Sequence, residues 1–187
     1  TVVSEERRCH PDYLRHDSLG WNQRLPEVAC AVALAELERL DDLVAMRVAS
    51  ARQFEAVVET CTWLVPQKTP AGLFNSYLNY AVRIDRDDLV WADFRRQFVE
   101  LGGDGFYGSY QPAHLEPVFA SLNRAVDAQP QRYPQWAGRL PRYERGMCPV
   151  WEAIQPRIVM LKTNYFDLDD ARRQAEILDR TIRCFDR

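Results

Sequence analysis

Residues 20–27 read GWNQRLPE and lead directly into a long stretch of periodic apolar side chains. From Leu25 to Val48 the apolar residues recur at intervals of three to five, which is the spacing of a helix with one apolar face. Pro26 suits the first turn of a helix, because that position has no intrahelical use for a backbone N–H. The pattern therefore predicts a long helix over residues 25–58.

Downstream of this helix, strand and helix patterns alternate. Residues 76–84 are rich in tyrosine and β-branched side chains and predict a strand. Residues 85–88 supply acidic capping chemistry for a helix that runs to Leu101 and ends at Gly102-Gly103. Residues 106–110 read as the next extended segment. The alternation favours an α/β fold over a helix bundle or a β-sandwich.

The carboxy-terminal third begins with a proline-rich region. Five prolines within residues 112–141 predict only short helical pieces and a loop. Cys148-Pro149 opens a short helix, and residues 158–161 predict a brief strand. Asp167 is placed to cap a terminal helix whose apolar stripe runs from Ala171 to Phe185 at helical spacing.

Composition excludes several classes of partner. The formal net charge is −3, with acidic and basic residues interspersed, so no basic stripe predicts nucleic-acid binding. No apolar run approaches the roughly 20 residues needed to cross a bilayer, and residues 1–8 are charged, so a cytoplasmic protein is expected. The five cysteines and three histidines lack zinc-site spacing, which predicts reduced thiols and no metal site.

Three segments, in order along the chain, resemble elements of one enzyme family. Residues 20–27 resemble the G-aromatic-N-x-R-x-x-E signature of the DegT/DnrJ/EryC1/StrS sugar aminotransferases. Residues 110–119 and the C-P-x-x-E element from Cys148 to Glu152 resemble two further family elements. The resemblance implies the small carboxy-terminal α/β domain of a fold-type I enzyme that uses pyridoxal phosphate, and the large domain is expected to lie outside this chain.

The same resemblance implies the domain plan and the reaction. Residues 1–24 would connect from the missing large domain, residues 25–58 would form the linking helix, and residues 59–187 the small domain. The assembled enzyme, expected to be a homodimer, would move an amino group from glutamate or glutamine to a keto sugar, expected to be nucleotide-linked, in sugar, polysaccharide or natural-product biosynthesis. Two alternatives stay open: a pyridoxamine-phosphate-dependent sugar dehydratase of the same family, and a non-catalytic regulatory or partner subunit.

The first motif contributes three candidate site residues. The resemblance implies that Asn22 reaches the cofactor phosphate of the neighbouring subunit, and an uncharged amide can donate to a phosphate dianion. The alternative is that Asn22 caps the following helix. Arg24 is a candidate for orienting an anionic group, or for pairing with Glu27. Trp21 is a candidate for the active-site wall, or for ordinary burial.

A second cluster of candidates lies further along the chain. Tyr107, Tyr110 and His114 combine aromatic rings with polar tips, as sugar-binding surfaces do, and are candidate substrate-binding residues. His114 is alternatively a structural, hydrogen-bonded histidine. The family pattern has two histidines here, and Gly108-Ser109 replaces the first. Glu116 is expected to be a solvated loop carboxylate.

No catalytic residue is predicted within the chain. Transamination needs a lysine amine that forms a Schiff base with the cofactor. The two lysines are Lys68 and Lys162, and neither matches the family's lysine motif. Both are expected to have surface or rim roles, with the catalytic lysine upstream.

Overall fold

The computed structural model describes residues 4–14 and 25–186, and these residues divide into two units. The first contains the described residues of Thr1–Asn22 and Gly108–Pro156. The second contains those of Gln23–Tyr107 and Arg157–Arg187. Helices and strands are both present, in agreement with a mixed α/β fold.

The strands of the described chain form one four-stranded sheet. They are β1 (Leu64–Pro66), β2 (Asn79–Ile84), β3 (Tyr107–Gly108), which ends at the unit boundary, and β4 (Ile158–Lys162). Strands β1, β2 and β4 lie in the second unit. Their order in the sheet is β1-β2-β4-β3, and β2 pairs antiparallel with both β1 and β4. The strand predicted at 76–84 is confirmed as the shorter β2, and the one predicted at 158–161 is confirmed as β4, which is one residue longer. β1 was not predicted.

One face of the two central strands is apolar. Along β2, Tyr80, Val82 and Ile84 are buried and the residues between them are half-buried. Tyr80 lies opposite Leu161 and Val82 opposite Val159, so buried side chains of β2 and β4 share one face. Because side chains alternate across a strand, this face requires a covering layer of helices.

The cover comes from helices of the second unit other than α2 (Glu27–Glu38), which has no buried residue in the described chain. They are α3 (Leu40–Val58), α4 (Trp91–Glu100) and α7 (Leu168–Phe185). α3 packs against α7 and against the sheet, and α4 packs against α7. The terminal helix is confirmed: Asp167 accepts a hydrogen bond from the backbone N–H of Asp169, and the apolar stripe is buried except at Phe185, which is half-buried.

The predicted long helix is divided at Arg39. Arg39 has φ −116° and ψ 16°, outside the helical range, and separates α2 from α3. Its guanidinium donates to the Glu36 carboxylate at 2.7 Å. Pro26 occupies the position before the first residue of α2 rather than the first turn. The apolar spacing correctly predicted that this region is helical, but it gave no sign of the break at Arg39.

The start of α4 lies beyond the segment that was predicted to cap it. Capping by residues 85–88 was expected, yet Val90 occupies the N-cap position. The Asp88 carboxylate is instead paired with Arg86, whose Nη2 lies 2.6 Å from Oδ2. The end of α4 follows the prediction: the N–H of Gly103 donates to the Phe98 carbonyl and that of Gly102 to Val99, which is the Schellman pattern.

The first unit is built around shorter helices. They are α1 (Glu5–Cys9), a single turn at Ala113–Leu115, α5 (Pro117–Ala128) and α6 (Pro149–Ile154). α1 was not predicted, and α5 is longer than the short pieces expected between residues 112 and 141. Pro117 sits in the first turn of α5 and Pro130 lies beyond its end, so neither proline interrupts it. None of the described helices combines the length and apolarity that crossing a bilayer requires.

Candidate functional site

A shielded hydrogen bond joins His114 and Glu152 in the first unit. The Nε2 atom of His114 lies 2.8 Å from Oε1 of Glu152, and the two side chains are only 8% and 7% exposed. His114 belongs to the single turn before α5, and Glu152 belongs to α6, so the partners are 38 residues apart. The bond connects two of the segments that carry the family resemblance.

The Glu152 carboxylate also fixes the loop that precedes α6. It accepts hydrogen bonds from the backbone N–H of Gly146 at 2.8 Å and from that of Cys148 at 3.1 Å. These donors, Gly146 first, together with His114, lower the pKa of Glu152, because each stabilises the ionised carboxylate. Glu152 therefore holds the loop and the His114 ring in one arrangement.

We predict that Glu152→Gln lowers the melting temperature of the protein by several degrees at neutral pH. An amide retains part of the acceptor capacity but loses the charge that strengthens these bonds. Because the folded-state pKa of Glu152 lies below that of an unfolded glutamate, about 4.3, its contribution is present above that pH. The contribution is lost as pH falls through the folded-state pKa, so the two melting curves should converge in acid.

Scanning calorimetry between neutral and acidic pH measures this difference. Glu144→Gln is the matched control, since Glu144 is an exposed glutamate of the same unit. A shift of the same size in both variants, or one that persists unchanged in acid, would contradict the assignment.

Two further polar residues of this unit are buried. Gln155 is 3% exposed, and its amide donates to the carbonyls of Pro11 and Ser109. Glu116 is 2% exposed, so the expectation of a solvated carboxylate was wrong. It occupies the N-cap position of α5, where the helix dipole favours a negative charge. Residue type alone did not indicate that Gln155 and Glu116 would be buried. The C-P-x-x-E element, by contrast, did point to Glu152.

The other candidate residues are not brought into one described cluster. Tyr107 is 45% exposed in the second unit, and Tyr110 is 63% exposed in the first. Trp21, Asn22 and Arg24 lie outside the described residues. His114 is therefore the candidate residue whose contacts are described in most detail.

Lys162 is engaged in a polar cluster of the second unit. Its ammonium lies 3.0 Å from Oδ2 of Asp104 and 4.6 Å from the centre of the Tyr165 ring. The Tyr165 hydroxyl donates to the same carboxylate at 3.0 Å; burial first, and then the negative charge and hydrogen bond of Asp104, raise the pKa of Tyr165. An ion-paired ammonium is a poor nucleophile. Lys68 lies exposed between β1 and β2.

Comparison with known sequences decides the family. The sequence pattern of the DegT/DnrJ/EryC1/StrS aminotransferase family matches residues 4–160. The chain belongs to this family. Its match takes in both the His114 segment and the Glu152 segment, which the hydrogen bond between them joins.

Two known proteins give the scale of the likeness. A GDP-perosamine synthase from Vibrio cholerae is 25% identical over 107 residues, which is 57% of this chain and 29% of that protein. The crystal structure of the sugar aminotransferase CalS13 from Micromonospora echinospora is similar with a TM-score of 0.59 at 18% identity, over 86% of this chain and 37% of that one. The chain thus spans about a third of the length of these two proteins.

Proposed function

We propose that this chain is part of an aminotransferase that moves an amino group from glutamate or glutamine to a keto sugar, expected to be nucleotide-linked. The observation that carries the proposal is the His114–Glu152 hydrogen bond, which joins two family segments within one buried arrangement. Membership of the family supports the reaction class. The sugar substrate is supported by the likeness to a GDP-perosamine synthase.

The family uses pyridoxal phosphate, and the described residues do not by themselves fit that cofactor. The cofactor supplies the electron sink of transamination and needs a lysine that is free to attack its aldehyde. Lys162 is paired with Asp104, and Lys68 is exposed in a loop without a desolvating pocket. We therefore assign the cofactor lysine to the part of the aminotransferase fold that this chain does not span.

Helix α2 supports the existence of such an additional part. Its sequence, EVACAVALAELE, is apolar on all sides, and none of its residues is buried within the described chain. A helix that is apolar all round is a buried helix in a complete protein. Val28, Val32 and Leu37 are each more than 60% exposed here. Further protein covering α2 would remove this surface from water.

The role of this chain in the proposed enzyme is to shape one side of the substrate site. The hydrogen bonds of Glu152 orient the His114 ring, and the fixed loop at Gly146 to Cys148 presents a defined backbone next to it. Tyr110, exposed just upstream, offers a ring and a hydroxyl for a sugar. These residues would bind and orient the substrate, while proton transfer belongs to groups outside this chain.

We predict that the isolated chain forms no stoichiometric pyridoxyl adduct when it is treated with pyridoxal phosphate and borohydride. The reason is that both of its lysines occupy positions that do not activate the amine. Intact mass and peptide mapping make the measurement, and Lys162→Arg controls for slow modification of that site. The complete aminotransferase, by contrast, should be labelled at one lysine and should aminate a keto sugar with glutamate. A stoichiometric adduct at Lys68 or Lys162 that abolishes activity would overturn this part of the proposal.

We predict that the functional enzyme is at least a homodimer. Asn22 is proposed to serve the phosphate of the neighbouring subunit, and that arrangement requires two copies. Sedimentation velocity of the active enzyme at assay concentration measures its size. A monomer with full activity would contradict the prediction.

A further inference from the structure

A small cavity in the first unit is lined by residues to which the proposed amino transfer gives no role. It has a volume of about 230 Å³ and lies between α5 and the loop that follows it. Apolar parts of Val126, Leu140 and Trp136 line it, together with the polar side chains of Asp127 and Arg142. Pockets for drug-sized ligands have volumes of about 300–1,000 Å³. This cavity therefore suits a ligand of the size of one sugar ring.

The loop that closes the cavity is tied to α5 at several points. With its amide oriented to satisfy both partners, Asn123 donates to the Pro141 carbonyl at 3.3 Å and accepts from the Tyr143 N–H at 2.9 Å. The rings of Phe119 and Tyr143 are in contact, with centroids 4.8 Å apart. These contacts form the cavity before a ligand arrives, so binding does not have to order the loop.

Trp136 is the aromatic wall of the cavity, and its ring plane is fixed by a neighbour. The Tyr133 ring stacks on it with centroids 5.8 Å apart and an angle of 8° between planes. Arg132 in turn lies 5.9 Å from the centre of the Tyr133 ring. Trp136 nevertheless remains 40% exposed. A fixed and partly exposed indole presents a flat apolar surface to the C–H face of a sugar.

The charges at the cavity cancel each other. The Arg142 guanidinium is ion-paired with the Asp127 carboxylate. An ion pair offers little net attraction to phosphate, but its carboxylate oxygens still accept and its guanidinium still donates hydrogen bonds. Each hydroxyl of a sugar ring can both donate and accept, so two neighbouring hydroxyls could bond to the Asp127 carboxylate and the Arg142 guanidinium at the same time. The site therefore favours a neutral ligand over an anion.

We propose that this cavity binds a neutral pyranose ring, with the ring stacked on Trp136 and its hydroxyls bonded to Asp127 and Arg142. The proposal uses residues of the first unit alone and does not depend on the proposed amino transfer. It gives the chain a sugar subsite built from α5 and the loop after it.

Saturation-transfer NMR of the full chain tests the proposal, with the methyl glycosides of glucose, galactose and mannose as probes. At least one should bind with millimolar affinity, and Trp136→Ala should weaken that binding about tenfold or more, since stacking area is lost. The matched control is Trp151→Ala, because Trp151 is also 40% exposed and lies in the same unit. Equal effects of the two variants, or no binding of any of the three probes, would overturn the proposal.

A second variant covers the case in which Trp136→Ala unfolds the loop. Asp127→Asn keeps the size of the side chain and frees the positive charge of Arg142. It should weaken methyl-glycoside binding several-fold and strengthen binding of glucose 1-phosphate. Wild-type protein that prefers glucose 1-phosphate or a free nucleoside to every methyl glycoside would refute a neutral pyranose subsite.

Discussion

Phe94→Ala should lower the free energy of unfolding by about 3–5 kcal/mol, the usual cost of removing a buried phenylalanine ring. Phe94 lies on α4 and has 0% exposure. Its ring centre is 5.7 Å from that of Trp63, 5.6 Å from that of Phe106 and 5.9 Å from that of Phe185. These partners come from separate parts of the second unit, so the cavity left by the substitution would have little freedom to collapse.

Urea unfolding followed by circular dichroism measures the effect. The control is Phe166→Ala, because Phe166 belongs to the same unit and is 83% exposed. Its removal should change the unfolding free energy by about 0.5 kcal/mol or less. If the two variants lost similar stability, Phe94 would not be a core residue of the second unit.

Asn22→Ala should weaken retention of pyridoxal phosphate by the complete enzyme by roughly ten- to hundredfold. The loss corresponds to one hydrogen bond to a charged phosphate, about 1.5–3 kcal/mol. A helix-capping role would instead cost about 1 kcal/mol of stability and leave cofactor affinity unchanged. Pro26 holds the N-cap position of α2, and Asn22 lies outside the described residues, so the experiment has to separate the two roles.

Equilibrium dialysis of the cofactor against the apo enzyme separates these roles. Thermal melts belong on the apo form, because a bound ligand raises apparent stability. Gln23→Ala is the control, since it removes an amide from the adjacent position of the same motif. Unchanged cofactor affinity together with a lower apo melting temperature would decide against the phosphate contact.

Periodicity along the chain predicted the elements whose burial follows a single face. α7 and β2 are such elements, and in both the buried residues lie where the spacing put them. The break at Arg39 gave no such signal, because the apolar spacing continues across it. β1 is only three residues long and owes its conformation to pairing with β2, which local sequence does not encode.

The candidate site was also only partly predictable from the sequence, because motifs show residues but not their long-range contacts. Motif resemblance singled out His114 and the segment that contains Glu152, but the hydrogen bond between them joins residues 38 positions apart and depends on tertiary packing. The burial of Glu116, at the start of α5, likewise depends on packing that the local sequence does not show. The proposed contacts of Trp21, Asn22 and Arg24 stay predictions.

The exposed apolar surface of α2 has a consequence for the life of the chain in a cell. Apolar surface of this kind is what aggregation-prone folding intermediates share, and chaperones exist because such surfaces adhere to one another. The attraction between apolar groups weakens on cooling. A newly made copy whose α2 surface stays uncovered would therefore be a substrate for cellular quality control, and more so at higher temperature.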